Sequence, residues 1–225
     1  MNLSRIETGQ ENFKIVLKIK IVNMQGFILQ GNMPGALRSD EEMAAIDKAV
    51  ADEAFKIQKR KMDSFLLQKG FVKYKTNAYL KRNSIDVLEY IGLQKDAYGS
   101  KTFTVNYCLM PLYIPHSVFS FDLGDRLGKL ICNRDVWWDY SNNQTAEVSF
   151  QNVKDAINTF LLPWFEANAT EKVLKQELLK KKNFLKSIGV HFYQQDWIDA
   201  IDSDKEYSEI INKNFEVLKL PKKLQ

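Results

Sequence analysis

The chain has 225 residues, 45% of them apolar and 12% aromatic, and carries a mild net charge of +4. That length and apolar content predict one buried core with appendages, and the aromatic content excludes a disordered chain over most of its length. Two cysteines, Cys108 and Cys132, are too few for a disulfide framework, which points to a reduced, cytoplasmic setting.

Residues 1–38 read as an N-terminal extension, either an added strand or a flexible arm. Residues 14–22 end in polar/apolar alternation, as a half-buried strand does, before Gly26, Gly31 and Pro34-Gly35 punctuate a loop. Phe13 to Leu29 is interrupted by Lys14, Lys18, Lys20, Asn23 and Gln25, short of the roughly 20 apolar residues that cross a bilayer. Glu7 and Glu11 fit a signal peptide poorly. No membrane association is expected.

Residues 39–165 read as an α+β core domain. Ser39 caps a long helix, with Glu42 completing a capping box and Asp40 and Glu41 in its first turn. Ile46, Val50, Ala54, Ile57, Phe65 and Leu66 form its apolar stripe, and Gly70 closes it. Four short runs follow: Phe71 to Tyr74, Ala78 to Lys81, Ile85 to Gln94 and Thr102 to Met110. Their connections are too short for crossovers, so they predict an antiparallel meander of about four or more strands packed against helices on one face. Placing Ile91 opposite Val105, Leu93 opposite Phe103 and Val87 opposite Leu109 makes one face continuously apolar. The other face then carries Gln94 with Thr102, Tyr90 with Asn106, and Leu88 with Cys108, while Gly92 opposite Thr104 leaves a dent.

After Pro111 the chain becomes irregular, with an Arg126-Leu127-Gly128 turn ahead of Trp137-Trp138 and a polar loop from Asp139 to Thr145. Phe150 to Leu162 reads as a helix, and Pro163 opens a short element through Phe165. Residues 166–225 read as a lysine-rich helical segment. Thr170 caps a helix from Glu171 to Ile188, Gly189 stops it, and one or two further helices run to Leu220.

No strong catalytic motif is present. Neither His116 nor His191 has a second histidine at ligand spacing, no CxxC occurs, and neither a GxSxG elbow nor a glycine-rich phosphate loop is found. Asp86, Glu89 and Lys95 on one hairpin suggest nuclease-like chemistry, but the odd spacing of the two carboxylates sends them to opposite faces of a strand. No catalytic residue, metal or cofactor is assigned. The polar sheet face is the candidate interaction surface, through Tyr90, Gln94, Thr104 and Asn106, with Trp137 and Trp138 beside it. Asparagine is disfavoured in strands, so Asn106 calls for a reason. One of the two tryptophans should face in and the other out.

The order Gly70-Phe71, Asn77 and Tyr79, Val87 through Gln94, Phe103-Thr104-Val105-Asn106, Arg126-Leu127-Gly128 and Trp137-Trp138 resembles a bacterial domain-of-unknown-function family, number 4304, from about Asp52 to Phe165. The chain departs from that pattern at the bulky Tyr107 and in a long stretch from Leu112 to Asp125. The family has no established activity, so the resemblance implies a compact α+β fold and transfers no catalytic residue.

The reading is a cytoplasmic, non-enzymatic module that binds a protein partner through the sheet face and the tryptophan loop. A nucleic-acid accessory role is the alternative. Glu171 to Lys186 holds six lysines against two glutamates, and Lys172, Lys175, Lys182 and Lys186 would meet backbone phosphates. A hydrolase or nuclease built from scattered carboxylates is the third reading.

Overall fold

Helix α1 (Asp40–Gln68) puts three carboxylates in its first turn, where the helix dipole favours them. The computed structural model describes residues 40–119, 123–191, 195, 198–199 and 207–225, so the extension at 1–38 and the Ser39 cap lie outside the described residues. The chain divides into two compact units, Met1–Met43 and Ala44–Gln225, and the sheet, its covering helices and the cleft described below all belong to the second.

The buried stripe of α1 is Ala51, Ala54, Phe55, Gln58, Lys59, Met62 and Leu66. The stripe expected from sequence is therefore rotated, with Val50 exposed. Lys59 is held inward by Asp63 at 3.0 Å. Asp63 also accepts from Lys73 at 3.2 Å and from the Tyr79 hydroxyl. At the C-terminus Gly70 adopts φ +85°, and the Phe71 N–H reaches the Leu66 carbonyl at 3.0 Å, which stops the helix as expected.

Strands β1 (Val72–Lys75), β2 (Ala78–Arg82), β3 (Val87–Lys95), β4 (Thr102–Pro111) and β5 (Leu123–Arg126) form an antiparallel sheet in that order, and β6 (Trp138–Asp139) pairs with β4 beyond β5. The turn into β3 is built by Asn83, whose side chain accepts from the Ile85 and Val87 N–H groups.

The β3–β4 register differs from the expected one by two residues. Ile91 faces Tyr107, Leu93 faces Val105, and Val87 faces Pro111. A two-residue slip leaves every side chain on its own face, so hydrophobic patterning cannot detect it. The loop decides instead. The Asp96 carboxylate accepts from the Tyr98 and Ser100 N–H groups, and the Asp96 N–H donates to the Thr102 carbonyl at 2.9 Å.

Phe103, Val105, Leu109 and Ile91 join α1 in the main core. Helix α2 (Leu127–Cys132) follows β5 directly where a turn was expected, because Arg126 ends the strand and Leu127 enters the core. Helix α3 (Asn143–Ala156) starts seven residues earlier than expected. Asn142 accepts from the Gln144 and Thr145 N–H groups while Thr145 returns a bond to the Asn142 N–H, a capping box. A π-turn (Ile157–Leu161) leads into helix α4 (Leu162–Asn168), and helix α5 (Glu171–Ser187) follows its Thr170 cap.

Helix α6 (Ser208–Val217) and a 3-10 turn (Lys222–Leu224) lie on the other sheet face. Phe215, Leu218, Leu220 and Leu224 pack on Leu80, Leu88, Met110 and Leu112 there. Asn214 fixes the contact, donating to the Leu112 and Ile114 carbonyls at 2.8 and 2.6 Å and accepting the His116 N–H at 2.9 Å. Tyr74 and Arg82 reach across to the Leu218 and Leu224 carbonyls.

Candidate functional site

Strand β5 pairs with β4 alone among the described residues. Its register places Leu123 against Leu109, Gly124 against Cys108, Asp125 against Tyr107 and Arg126 against Asn106. Side chains alternate, so β5 borders one hollow on each face of the sheet.

The hollow on the core side is a cleft of about 510 Å³ between β5, α4 and α5. Leu109, Leu123 and Leu174 make its apolar floor, and Tyr107, Trp164 and Phe184 its aromatic walls. Tyr107 meets Trp164 edge to face at 4.8 Å. Asp125, Asn168, Glu177, Lys180 and Lys181 supply the polar rim. Burial, with some help from the Asp125 charge, pushes the Tyr107 phenol up to about 12. It is therefore a neutral wall and not a nucleophile at neutral pH.

The hollow on the opposite face, about 300 Å³, is bounded by Gln94, Asn106 and Arg126 together with the backbone around Gly124. Asn106 donates to the Gln94 side-chain carbonyl at 2.8 Å, which gives the strand asparagine its structural use. Arg126 pairs with Asp135, and its guanidinium lies 5.3 Å from the Trp137 ring centre. The Asp125 carboxylate takes the Arg126 N–H at 2.7 Å. Gly124 is required where it stands. A Cβ there would lie 2.0 Å from the Tyr107 carbonyl oxygen and 2.4 Å from the Cys108 Cβ.

The structure thus brings Gln94 and Asn106 together, with Trp137 nearby on Arg126 and 37% exposed. Trp138 turns inward against Phe103, in line with the expected alternation. Thr104 is fully buried, and its hydroxyl has no hydrogen-bond partner among the described residues. Tyr90 fills the dent over Gly92 and stacks near Phe119 at 4.9 Å, and burial pushes its phenol up to about 12. Thr104 and Trp138 are thus interior residues, and Tyr90 is half-buried.

The lysines fall on α5. Lys172 and Lys186 are exposed, Lys175 is half-buried, and half-buried Lys182 donates to Gln195 at 2.6 Å. Lys180 and Lys181, on the cleft side, were not singled out from sequence. The hydrolase constellation does not converge. Asp86 stands in a turn at φ +58° paired with Arg82, Glu89 is buried beside Lys81, and Lys95 pairs with Asp52. Among the described residues, no group of three or more His, Cys, Asp or Glu side chains is placed to hold a metal ion. His116 bonds the Pro111 carbonyl through Nε2 at 2.6 Å. The two cysteines form no disulfide, and no described helix is long and apolar enough to cross a membrane.

Trp164 and Phe184 are the residues that sequence reasoning missed. Their one local signal is position: Trp164 directly follows Pro163, and Phe184 is an aromatic stranded in a lysine-rich helix.

Residues 62–167 match the model of the family described as Domain of unknown function (DUF4304), overlapping nearly all of the segment where the motif order resembles it. The match covers the C-terminal end of α1 through α4, so it includes the sheet and the Trp164 wall but not α5. No curated protein and no solved structure matches the chain.

Proposed function

We propose that the chain is a non-enzymatic protein-interaction module whose contact face is the outer edge of β5 with its two flanking hollows. One observation carries the reading: an aromatic-walled cleft and a polar patch meet at an edge strand that pairs on one side only among the described residues. Exposed aromatics beside adaptable amides and an arginine are the side chains that concentrate binding energy at protein contacts. Two of the titratable groups near the face are taken up by packing or pairing. Tyr107 is neutral and buried, and Arg126 is engaged with Asp135. Two cysteines outside any disulfide suit a reducing cytoplasm.

The test is capture of partners from the native cells by the full-length chain, in parallel with a Gln94→Ala, Asn106→Ala, Trp137→Ala triple variant whose circular dichroism matches wild type. The expected result is a stoichiometric protein retained by wild type and lost by the variant. Equal recovery by both, or no protein recovered by either, refutes the reading.

A further inference from the structure

Tyr107 carries a hydroxyl that the fold leaves unused. The residue borders both hollows, but its ring meets Trp164 in the wall of the core-side cleft. Tyr107 is 5% exposed, and among the described residues its hydroxyl has no hydrogen-bond partner. Polar groups on buried side chains are nearly always bonded, so an unmet hydroxyl in a cleft wall calls for an occupant. Two neighbouring groups are also unspent. Asn168 gives its side-chain N–H to the Trp164 carbonyl at 2.8 Å, which leaves its own side-chain carbonyl as an acceptor. The Trp164 indole N–H has no partner among the described residues.

The charges on the rim cancel. Asp125 and Glu177 stand against Lys180 and Lys181. Glu177 and Lys180 pair with each other, Asp125 accepts the Arg126 N–H, and Lys181 is also engaged. A charged guest would give up water here without gaining a net counter-charge, so the rim favours an uncharged one.

Size and shape narrow the class further. About 510 Å³ lies within the range of clefts that hold small organic ligands, which are mostly apolar with a few placed polar groups. The floor here is leucine and the walls are the rings of Tyr107, Trp164 and Phe184. Aromatic walls hold a flat ring system by offset stacking and edge contacts.

We infer that the cleft between β5, α4 and α5 binds an uncharged aromatic small molecule, which packs against Trp164 and Phe184 and accepts a hydrogen bond from the Tyr107 hydroxyl. The inference goes beyond the protein-contact reading and does not depend on it.

The probe is prodan, an uncharged naphthalene ketone whose emission moves to the blue in an apolar site, titrated into the full-length chain. The expected result is saturable binding of one probe per chain. Tyr107→Phe keeps the ring and deletes the hydroxyl, and should weaken binding about fivefold, the worth of one neutral hydrogen bond. Phe184→Ala removes a wall and should weaken it about tenfold. Phe184 is 63% exposed, so that variant keeps its fold and decides alone if circular dichroism shows Tyr107→Phe unfolded. Phe160→Ala removes an exposed aromatic outside the cleft and should leave binding unchanged. A naphthalene sulfonate at about tenfold excess should fail to displace the probe, because its charge finds no net partner on the rim. Binding that does not saturate, that survives either cleft variant in folded form, that falls as far in Phe160→Ala, or that yields to the sulfonate overturns the inference. The Gln94, Asn106, Trp137 triple variant keeps every wall of the cleft and should bind prodan as wild type does, so loss of partner capture and loss of probe binding are read separately.

Discussion

Asn214 is the single side chain on which attachment of the C-terminal segment to the sheet turns, and replacing it by leucine tests that claim. Asn214 is 1% exposed and makes three bonds to the backbone of residues 112–116. Leucine keeps the branched shape, with two somewhat larger methyls in place of the amide oxygen and nitrogen, and removes all three partners, leaving one N–H and two carbonyls unpaired in a buried loop. Each such group costs about 1–3 kcal/mol. The carbonyls hold the cheaper end of that range because they can bend toward water, and leucine recovers part of the loss by apolar contact with Phe215 and Leu218. A net loss of about 3–5 kcal/mol follows, a large share of the roughly 5–15 kcal/mol that holds a domain together. In urea the midpoint should fall by about 1–2.5 M, taking a slope of about 2–3 kcal/mol per M. Tryptophan fluorescence and far-ultraviolet circular dichroism would follow the transition. If α6 releases first, the main transition should also show a smaller slope, because less surface remains to be exposed. Asn214→Asp is the informative companion. It keeps an acceptor for the His116 N–H but turns a carboxylate toward two carbonyl oxygens, so at neutral pH it should be no better than leucine. A loss under about 1 kcal/mol with an unchanged slope would refute the idea that these three bonds anchor the helix.

Gly124→Ala should cost about 1–3 kcal/mol and strip amide-exchange protection from β5 and the facing residues of β4, because the added carbon must push the strands apart; unchanged protection would mean that β5 is not held as tightly as its geometry implies. Burial holds the Glu89 carboxyl above its ordinary value of 4.5, with Lys81 opposing, so its contribution to stability is complete below that value and is lost as pH rises through the elevated folded value. The Glu89→Gln variant should therefore gain on wild type as pH rises from about 4.5 toward neutrality, and denaturation midpoints that run parallel across that window would contradict the assignment. Cys132 is exposed and Cys108 buried, so a thiol reagent should label Cys132 alone in the native protein and both residues in denaturant; rapid labelling of Cys108 under native conditions would show that the sheet opens.

The strands and their alternation were legible because period-two patterning decides which face each side chain takes. The same patterning is blind to a slip of two, and the Asp96 loop that settles the register acts through side-chain bonds to backbone that apolar counting ignores. The α1 stripe misled for a related reason. Its buried face uses Ala51, Gln58 and Lys59, small or polar residues that apolar counting leaves out, and Lys59 is held inside by Asp63. The capping box at Asn142 and Thr145 is readable in the sequence, and it starts the helix seven residues ahead of the apolar run. The cleft was out of reach of local reading. Tyr107, Leu123, Trp164 and Phe184 stand on β4, β5, α4 and α5, and only tertiary packing makes them neighbours.

The π-turn before α4 bears on how this surface arose. Within it the Leu162 N–H reaches back to the Ile157 carbonyl, five residues away, where an α-helix would use four. One residue more than regular winding needs is therefore absorbed at a single place, just ahead of Pro163, whose ring would otherwise crowd the preceding turn. At 3.6 residues per turn, one residue corresponds to about 100° of rotation for everything downstream. Remove it, and regular winding would swing Trp164 about a quarter-turn away from Tyr107. An insertion or deletion of one codon at this point is thus enough to make or erase the aromatic wall without altering a residue that lines it.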